Sequence, residues 1–196
     1  INVASCNFNH GVAINNGGFV FIDGATSSIS KTTMVSGSAK YGGSIFCTSS
    51  TPIDVAIDIT TIQDSIAEDG GAGFSSVCHM RFKETRILDN VAKGTSGGAW
   101  MFGMDSRAVI ASSLFQRNVA PVQGGAIACV SCTYLNITGE TKFQHNKAKG
   151  GGALFLSTDS ATPVHYASSN TVFKQNHAIN GDGGAASFNN VLTLLS

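Results

Sequence analysis

The chain has 196 residues, with 12 basic against 12 acidic side chains, no formal net charge, and only 12% of its residues charged. That balance removes the electrostatic basis for binding nucleic acid or an anionic membrane surface, and no run of about 18 apolar residues is present to insert in a membrane. Twenty-three glycines against three prolines suit a fold of many tight turns whose strands keep their N–H groups free to pair.

One phrase returns seven times: a bulky apolar residue, an Asn or small residue three places on, an alanine two further, then Gly-Gly. In chain order the copies are Phe8/Gly11/Ala13/Gly17-Gly18, Met34/Gly37/Ala39/Gly42-Gly43, Ile62/Ser65/Ala67/Gly70-Gly71 and Ile87/Asn90/Ala92/Gly97-Gly98. They continue as Phe115/Asn118/Ala120/Gly124-Gly125, Phe143/Asn146/Ala148/Gly151-Gly152 and Phe173/Asn176/Ala178/Gly183-Gly184. The bulky residues are spaced 26, 28, 25, 28, 28 and 30 apart, and such a period signals a solenoid, propeller or array.

Between the phrases lie short β-prone stretches such as Ala108–Ala111, Ala126–Val130 and Ala153–Leu156, and nowhere does a capped, 3.6-residue apolar stripe predict a helix. The period is too short for a propeller blade and lacks a leucine-rich frame. The expected fold is therefore all-β: a right-handed, single-stranded parallel β-helix of about seven coils, one domain over 1–196. Its hand follows from the chirality of parallel crossovers.

Each column then has an expected task. The double glycines form corners, and the alanines fill space for one methyl group. Asn90, Asn118, Asn146 and Asn176 stack as an amide ladder. Two residues before the bulky column run Thr32, Thr60, Thr85, Ser113, Thr141 and Thr171. This hydroxyl column is read as structural, with outward display toward ice or sugars the alternative.

After each Gly-Gly, two alternating apolar sets share one strand, so one of them must face outward. With Phe21, Phe46, Phe74, Met101 and Phe155 lining the core, the sequence predicts Val20, Ile45, Trp100, Ile127 and Leu154 as an exposed interface stripe. The alternative is a segment folded over them, Thr48–Asp54 or Thr158–Val164.

Five cysteines are present, and Cys129-Val-Ser-Cys132 has ribbon-like spacing without the second pair or histidines that a zinc site needs. No metal or cofactor is expected. Cys47 and Cys78 sit at related coil positions and are the best pair for a disulfide, against a reading of all these thiols as small buried apolar groups. Asn136-Ile137-Thr138 is an N-glycosylation acceptor triplet. No leader-like segment precedes Ile1, so the chain reads as a mature or excised piece.

These phrases resemble the repeats of the chlamydial polymorphic outer-membrane proteins. The marks are Gly-Gly-Ala followed by an aliphatic residue, as in Gly124-Gly125-Ala126-Ile127 and Gly151-Gly152-Ala153-Leu154, and Phe-x-x-Asn, as in Phe115–Asn118, Phe143–Asn146 and Phe173–Asn176. The first coils depart from it, with Gly11, Gly37 and Ser65 in place of Asn. The resemblance implies a secreted or surface-displayed β-helix serving in adhesion or as a structural spine.

An enzyme of the polysaccharide lyase or hydrolase type would need clustered carboxylates with a basic partner. Asp54 with Asp58, and Asp64 with Glu68 and Asp89, are the nearest groupings, and no basic or histidine partner is expected at matching coil positions. No catalytic residues are therefore assigned. The expected role is self-association into a fibre or surface layer through the apolar stripe and the uncapped ends, Ile1–Ser5 and Val191–Leu195. The alternatives are a host or surface ligand, glycans included, and polysaccharide binding or degradation.

Overall fold

The computed structural model describes residues 1–158 and 163–194, and its secondary structure is strand throughout, without a helix. All pairings between strands are parallel, and each joins one coil to the next, giving a parallel β-solenoid of about seven turns. The bulky column sets the register: Phe8, Met34, Ile62, Ile87, Phe115, Phe143 and Phe173 are directly paired in sequence. Phe115, Phe143 and Phe173 stack with centroids 4.9 and 5.1 Å apart.

Each coil has three main sides. The first carries the strand that follows Gly-Gly, the second the strand that precedes the Thr column, and the third the strand holding the bulky residue. In two coils a single strand, Ile45–Asp58 or Gly73–Lys83, runs around the bend between the first and second sides. Thr48–Asp54 is thus part of a strand, with a register shift between Thr48 and Ile53, and does not fold over the first side. The other covering segment, Thr158–Val164, lies largely outside the described residues, as does Leu195 of the C-terminal apolar run.

Corners are made by left-handed backbone at recurring positions. The first glycine of every pair has positive φ, from 57° at Gly17 to 71° at Gly183, the region where only glycine sits without steric cost. The second glycine is required for another reason: a Cβ at Gly125 would lie 2.2 Å from the Gly152 carbonyl oxygen of the next coil. Two further corners use non-glycine residues, one before the Thr column (Lys31, Ile59, Glu84, Ser112, Glu140) and one before the Asn column (Asp64, Asp89, Arg117, His145).

The residue after each such corner turns inward and satisfies its polar group. Thr32, Thr60, Thr85, Ser113 and Thr141 are buried, and hydroxyls of this column donate to carbonyls of their own corner, as Thr60 Oγ1 does to Asp58 O at 2.9 Å. The hydroxyl column is therefore interior. Asn90, Asn118 and Asn146 are fully buried and pass hydrogen bonds along the axis, each Nδ2 donating to the next Oδ1 at 3.0 Å. The other Nδ2 hydrogen reaches the bulky residue's carbonyl one coil back, Ile62, Ile87 or Phe115, and each Oδ1 also accepts a backbone N–H. Both donors of each amide are used, the Oδ1 atoms of Asn118 and Asn146 each accept twice, and that of Asn90 accepts once, from the Ser65 N–H, so every polar group of the ladder is paired. Ala92, Ala120 and Ala148 form a small satellite core beside this ladder.

The core corrects the expected interface. Ile45, Trp100, Ile127 and Leu154 are completely buried, and Val20 is partly buried against the same core. Two consecutive N–H groups, those of Ser44 and Ile45, donate to the Ala72 carbonyl, and the same doubling recurs at Ala99, Ala126 and Ala153. This bulge lets the small residue after Gly-Gly and its large neighbour both face the interior, so strict alternation begins one residue later than a simple strand would place it. Trp100 can be buried because its Nε1–H donates to Ser75 Oγ at 3.2 Å. The outward set on the first side is Phe21, Phe46, Phe74, Met101 and Phe155, the residues that the sequence placed in the core.

Two disulfides cross the bend between the first and second sides. Cys47–Cys78 joins adjacent coils across a sequence separation of 31, and Cys129–Cys132 closes the same bend within one coil. Cys6 is a free thiol.

Candidate functional site

Three features of the surface carry chemistry: the aromatic ladder of the first side, the second side with its charged rows, and a carboxylate column on the corner before the Asn ladder. On the first side Phe21, Phe46 and Phe74 stack nearly parallel, with centroids 5.7 and 5.3 Å apart, and Tyr41 leans on Phe74. Phe21 is half exposed and the others are partly so.

The second side is a parallel sheet whose outward residues form two rows along the axis. One row pairs Asp54, His79, Arg107, Tyr134 and His165 in succession; the other pairs Ser28, Ala56, Arg81, Val109, Asn136 and Ala167. Behind them Val55, Met80, Ala108, Leu135 and Tyr166 are buried, so the sheet is held rigid from its inner face. At about 4.8 Å per coil, the outward rows stand at fixed spacing whatever the solvent does.

Between these rows lies an open groove of about 710 Å³. Ala56 and Val109 contribute apolar surface, Ser27, Ser28 and Thr26 contribute hydroxyls, and His79, Arg81, Arg107 and Tyr134 supply the polar and aromatic edge. Ile1 lies at the same groove, its ammonium donating to Thr26 O at 2.8 Å.

The charges there are not equally committed. Asp54 stands 3.6 Å from His79 Nδ1, and Asp58 accepts from Arg81 Nη2 at 3.0 Å. A basic and a histidine partner thus do stand at matching coil positions. The expectation of none missed them because the coil from Asp54 to His79 is 25 residues, shorter than its neighbours. Arg107 is different: among the described residues no carboxylate lies within ion-pair distance of it, and its guanidinium sits over the Tyr134 ring at 5.7 Å.

The third feature pairs Asp89 with Arg117 in a two-pronged contact, one prong at 2.6 Å, with Asp64 on the neighbouring rung. The Asp89 hydrogen bond and charge, with Asp64 adding to them, raise the Arg117 pKa above its ordinary value. Glu68 lies at a different corner and does not join them. The grouping is a surface ladder of two carboxylates and one guanidinium, and His145 occupies the rung after Arg117.

Of the residues singled out from sequence, Asn90, Asn118, Asn146 and Asn176 occupy the interior ladder, and Cys47 and Cys78 are joined. Asn136 projects from the outer face of Tyr134–Thr138 beside the groove. Val20, Ile45, Trp100, Ile127 and Leu154 are interior and play no surface part. No cluster of three or more metal-ligating side chains occurs among the described residues. Arg107, Tyr134 and His79 were missed as a group: His79 and Arg107 each stand six residues before the hydroxyl column, but Tyr134 stands seven before it, so a fixed offset does not align all three.

Comparison with known proteins gives one match. The family model for the Chlamydia polymorphic membrane protein (Chlamydia_PMP) repeat matches residues 112–130, which run from the corner before Ser113 through Asn118 and Gly124-Gly125 to the following strand. The same columns recur in register along the solenoid, so the matched segment is one copy of the repeat that builds the chain. No curated protein matches the chain. No solved structure matches it either.

Proposed function

We propose that this chain is a surface-displayed β-solenoid that binds an extended saccharide along its second side, as an adhesive element without catalysis of its own. The observation that carries this reading is the groove of about 710 Å³, which sets an unpaired guanidinium and a tyrosine ring over an apolar floor on a rigid sheet. The match to a polymorphic membrane protein repeat supports a place at the cell surface. So do the two disulfides, which persist in oxidising compartments.

A glycan panel tests it, with the chain and an Ala56→Trp variant compared. Ala56 faces outward, so tryptophan there fills the groove and leaves the core intact. Binding to at least one extended saccharide, lost in the variant at unchanged melting temperature, is the expected result. Binding unaffected by Ala56→Trp, or no saccharide bound at all, contradicts the proposal. Release of reducing or unsaturated ends from any of these polymers would make the chain an enzyme instead.

A second reading, lateral self-association, is favoured by the Phe21–Phe46–Phe74 ladder. These rings are stacked and partly exposed, and the row beside them, Asp23, Thr48 and Ser76, carries a single charge. A second copy presents the same periodic surface, so two ladders are complementary without any change of shape.

A further inference from the structure

Resting on the binding role proposed above, we infer that the groove takes an acidic saccharide, with the Arg107 guanidinium holding a sugar carboxylate and the Tyr134 ring supporting the adjoining sugar face.

Charge commitment on this face leads to Arg107. The other basic side chains along the groove have carboxylate neighbours: His79 faces Asp54 and Arg81 is held by Asp58. Arg107 has none among the described residues and is exposed. Its fork of N–H donors matches a carboxylate in the plane of the guanidinium, and a charge-assisted, two-pronged bond is roughly twice as strong as a neutral one. Tyr134, its register partner, offers an apolar ring with a polar tip. Val109 and Ala56, on the adjacent row, give the ligand an apolar floor.

The sheet also distinguishes between acidic ligands. An extended acidic peptide gains most of its affinity by adding a strand to a free sheet edge. Here the strands Asp54–Asp58, His79–Lys83, Arg107–Ala111 and Tyr134–Thr138 are bonded to neighbours on both sides, leaving no edge for a peptide to pair with. Recognition must come from side chains alone, which suits a polymer carrying hydroxyls and a carboxylate. The hydroxyls of Ser27, Ser28 and Thr26 and the Asp54 carboxylate are placed to exchange hydrogen bonds with the remaining sugar hydroxyls.

Calorimetry on the full chain decides the matter with three uronate polymers (polygalacturonate, alginate and hyaluronate), the neutral methyl ester of each, and poly-L-glutamate. The expected result is binding to at least one uronate polymer, at least tenfold weaker for its ester and for polyglutamate. Arg107→Gln lowers that affinity at least tenfold while Arg107→Lys, which keeps the charge and loses the fork, falls between. Arg107 is exposed, so both variants should melt as the parent does. Equal binding of acid and ester overturns the acidic specificity and leaves saccharide binding standing. Polyglutamate bound as tightly as the uronates, or affinity unchanged in Arg107→Gln, overturns the inference. Failure to bind any of the polymers, esters included, removes the saccharide reading with it.

Discussion

Single positions in this chain are dictated by what the next coil places above them. Asn118 donates to Asn146 and Ile87 and accepts from Asn90 twice, all inside the protein. Asn118→Ala strands several of these groups, each at about 1–3 kcal/mol. Chemical denaturation should show a loss of about 3 kcal/mol or more, against well under 1 for the exposed Lys142→Ala. Ile59 has the opposite problem: it is β-branched, exposed, and held at φ 51°. Ile59→Asn relieves left-handed strain and should gain about 1 kcal/mol in the same assay. Tyr166 is nearly buried, and desolvation raises its phenol pKa, partly offset by a hydrogen bond with Ser168. A raised folded-state pKa means its contribution is full below the unfolded value of about 10 and is lost as pH climbs through the folded one. A pH titration of stability should fall more steeply above about 10 in the parent than in Tyr166→Phe.

At the scale of the coil, disulfides and bulges shape what single residues cannot. Cys47–Cys78 closes a loop of 31 residues, worth about 3–4 kcal/mol by loop-closure entropy, whereas Cys129–Cys132 spans 3 and contributes about half of that. Replacing the first pair by serine should therefore lower the denaturation midpoint about twice as far as replacing the second. The strand after Gly-Gly shows where sequence reading stops. Seven copies of the phrase were enough to predict parallel coils, and the Asn, Ala and Gly columns fall where the repeat places them. The inward face of that strand was read the wrong way round, because Phe46 and Ile45 are equally apolar and alternation alone does not say which points in. What decides it is the shared carbonyl at Ala72, a backbone bulge with no residue signature of its own. If the outward ladder serves self-association, Phe46→Ser should shift sedimentation from dimer toward monomer without altering the melting temperature. A parent chain that is monomeric at high concentration contradicts that second reading.

For the whole molecule, stacking turns residues far apart in sequence into a line. Asp54, His79, Arg107, Tyr134 and His165 come from five coils and share one row. The unequal steps along it, 25, 28, 27 and 31 residues, hid that row, since a fixed period slides past it. The scaffold columns satisfy themselves internally, which leaves the second side as the part of the surface where an unpaired cation, an aromatic ring and a groove coincide. The most direct test of that face is a map of ligand contact along the solenoid: backbone amide NMR shifts, recorded while a short uronate oligomer is titrated in. Shifts clustered at Asp54–Ala56, His79–Arg81, Arg107–Val109 and Tyr134–Asn136, and absent in Arg107→Gln, are predicted. Shifts concentrated on Phe21, Phe46 and Phe74, or spread evenly over all sides, would contradict it.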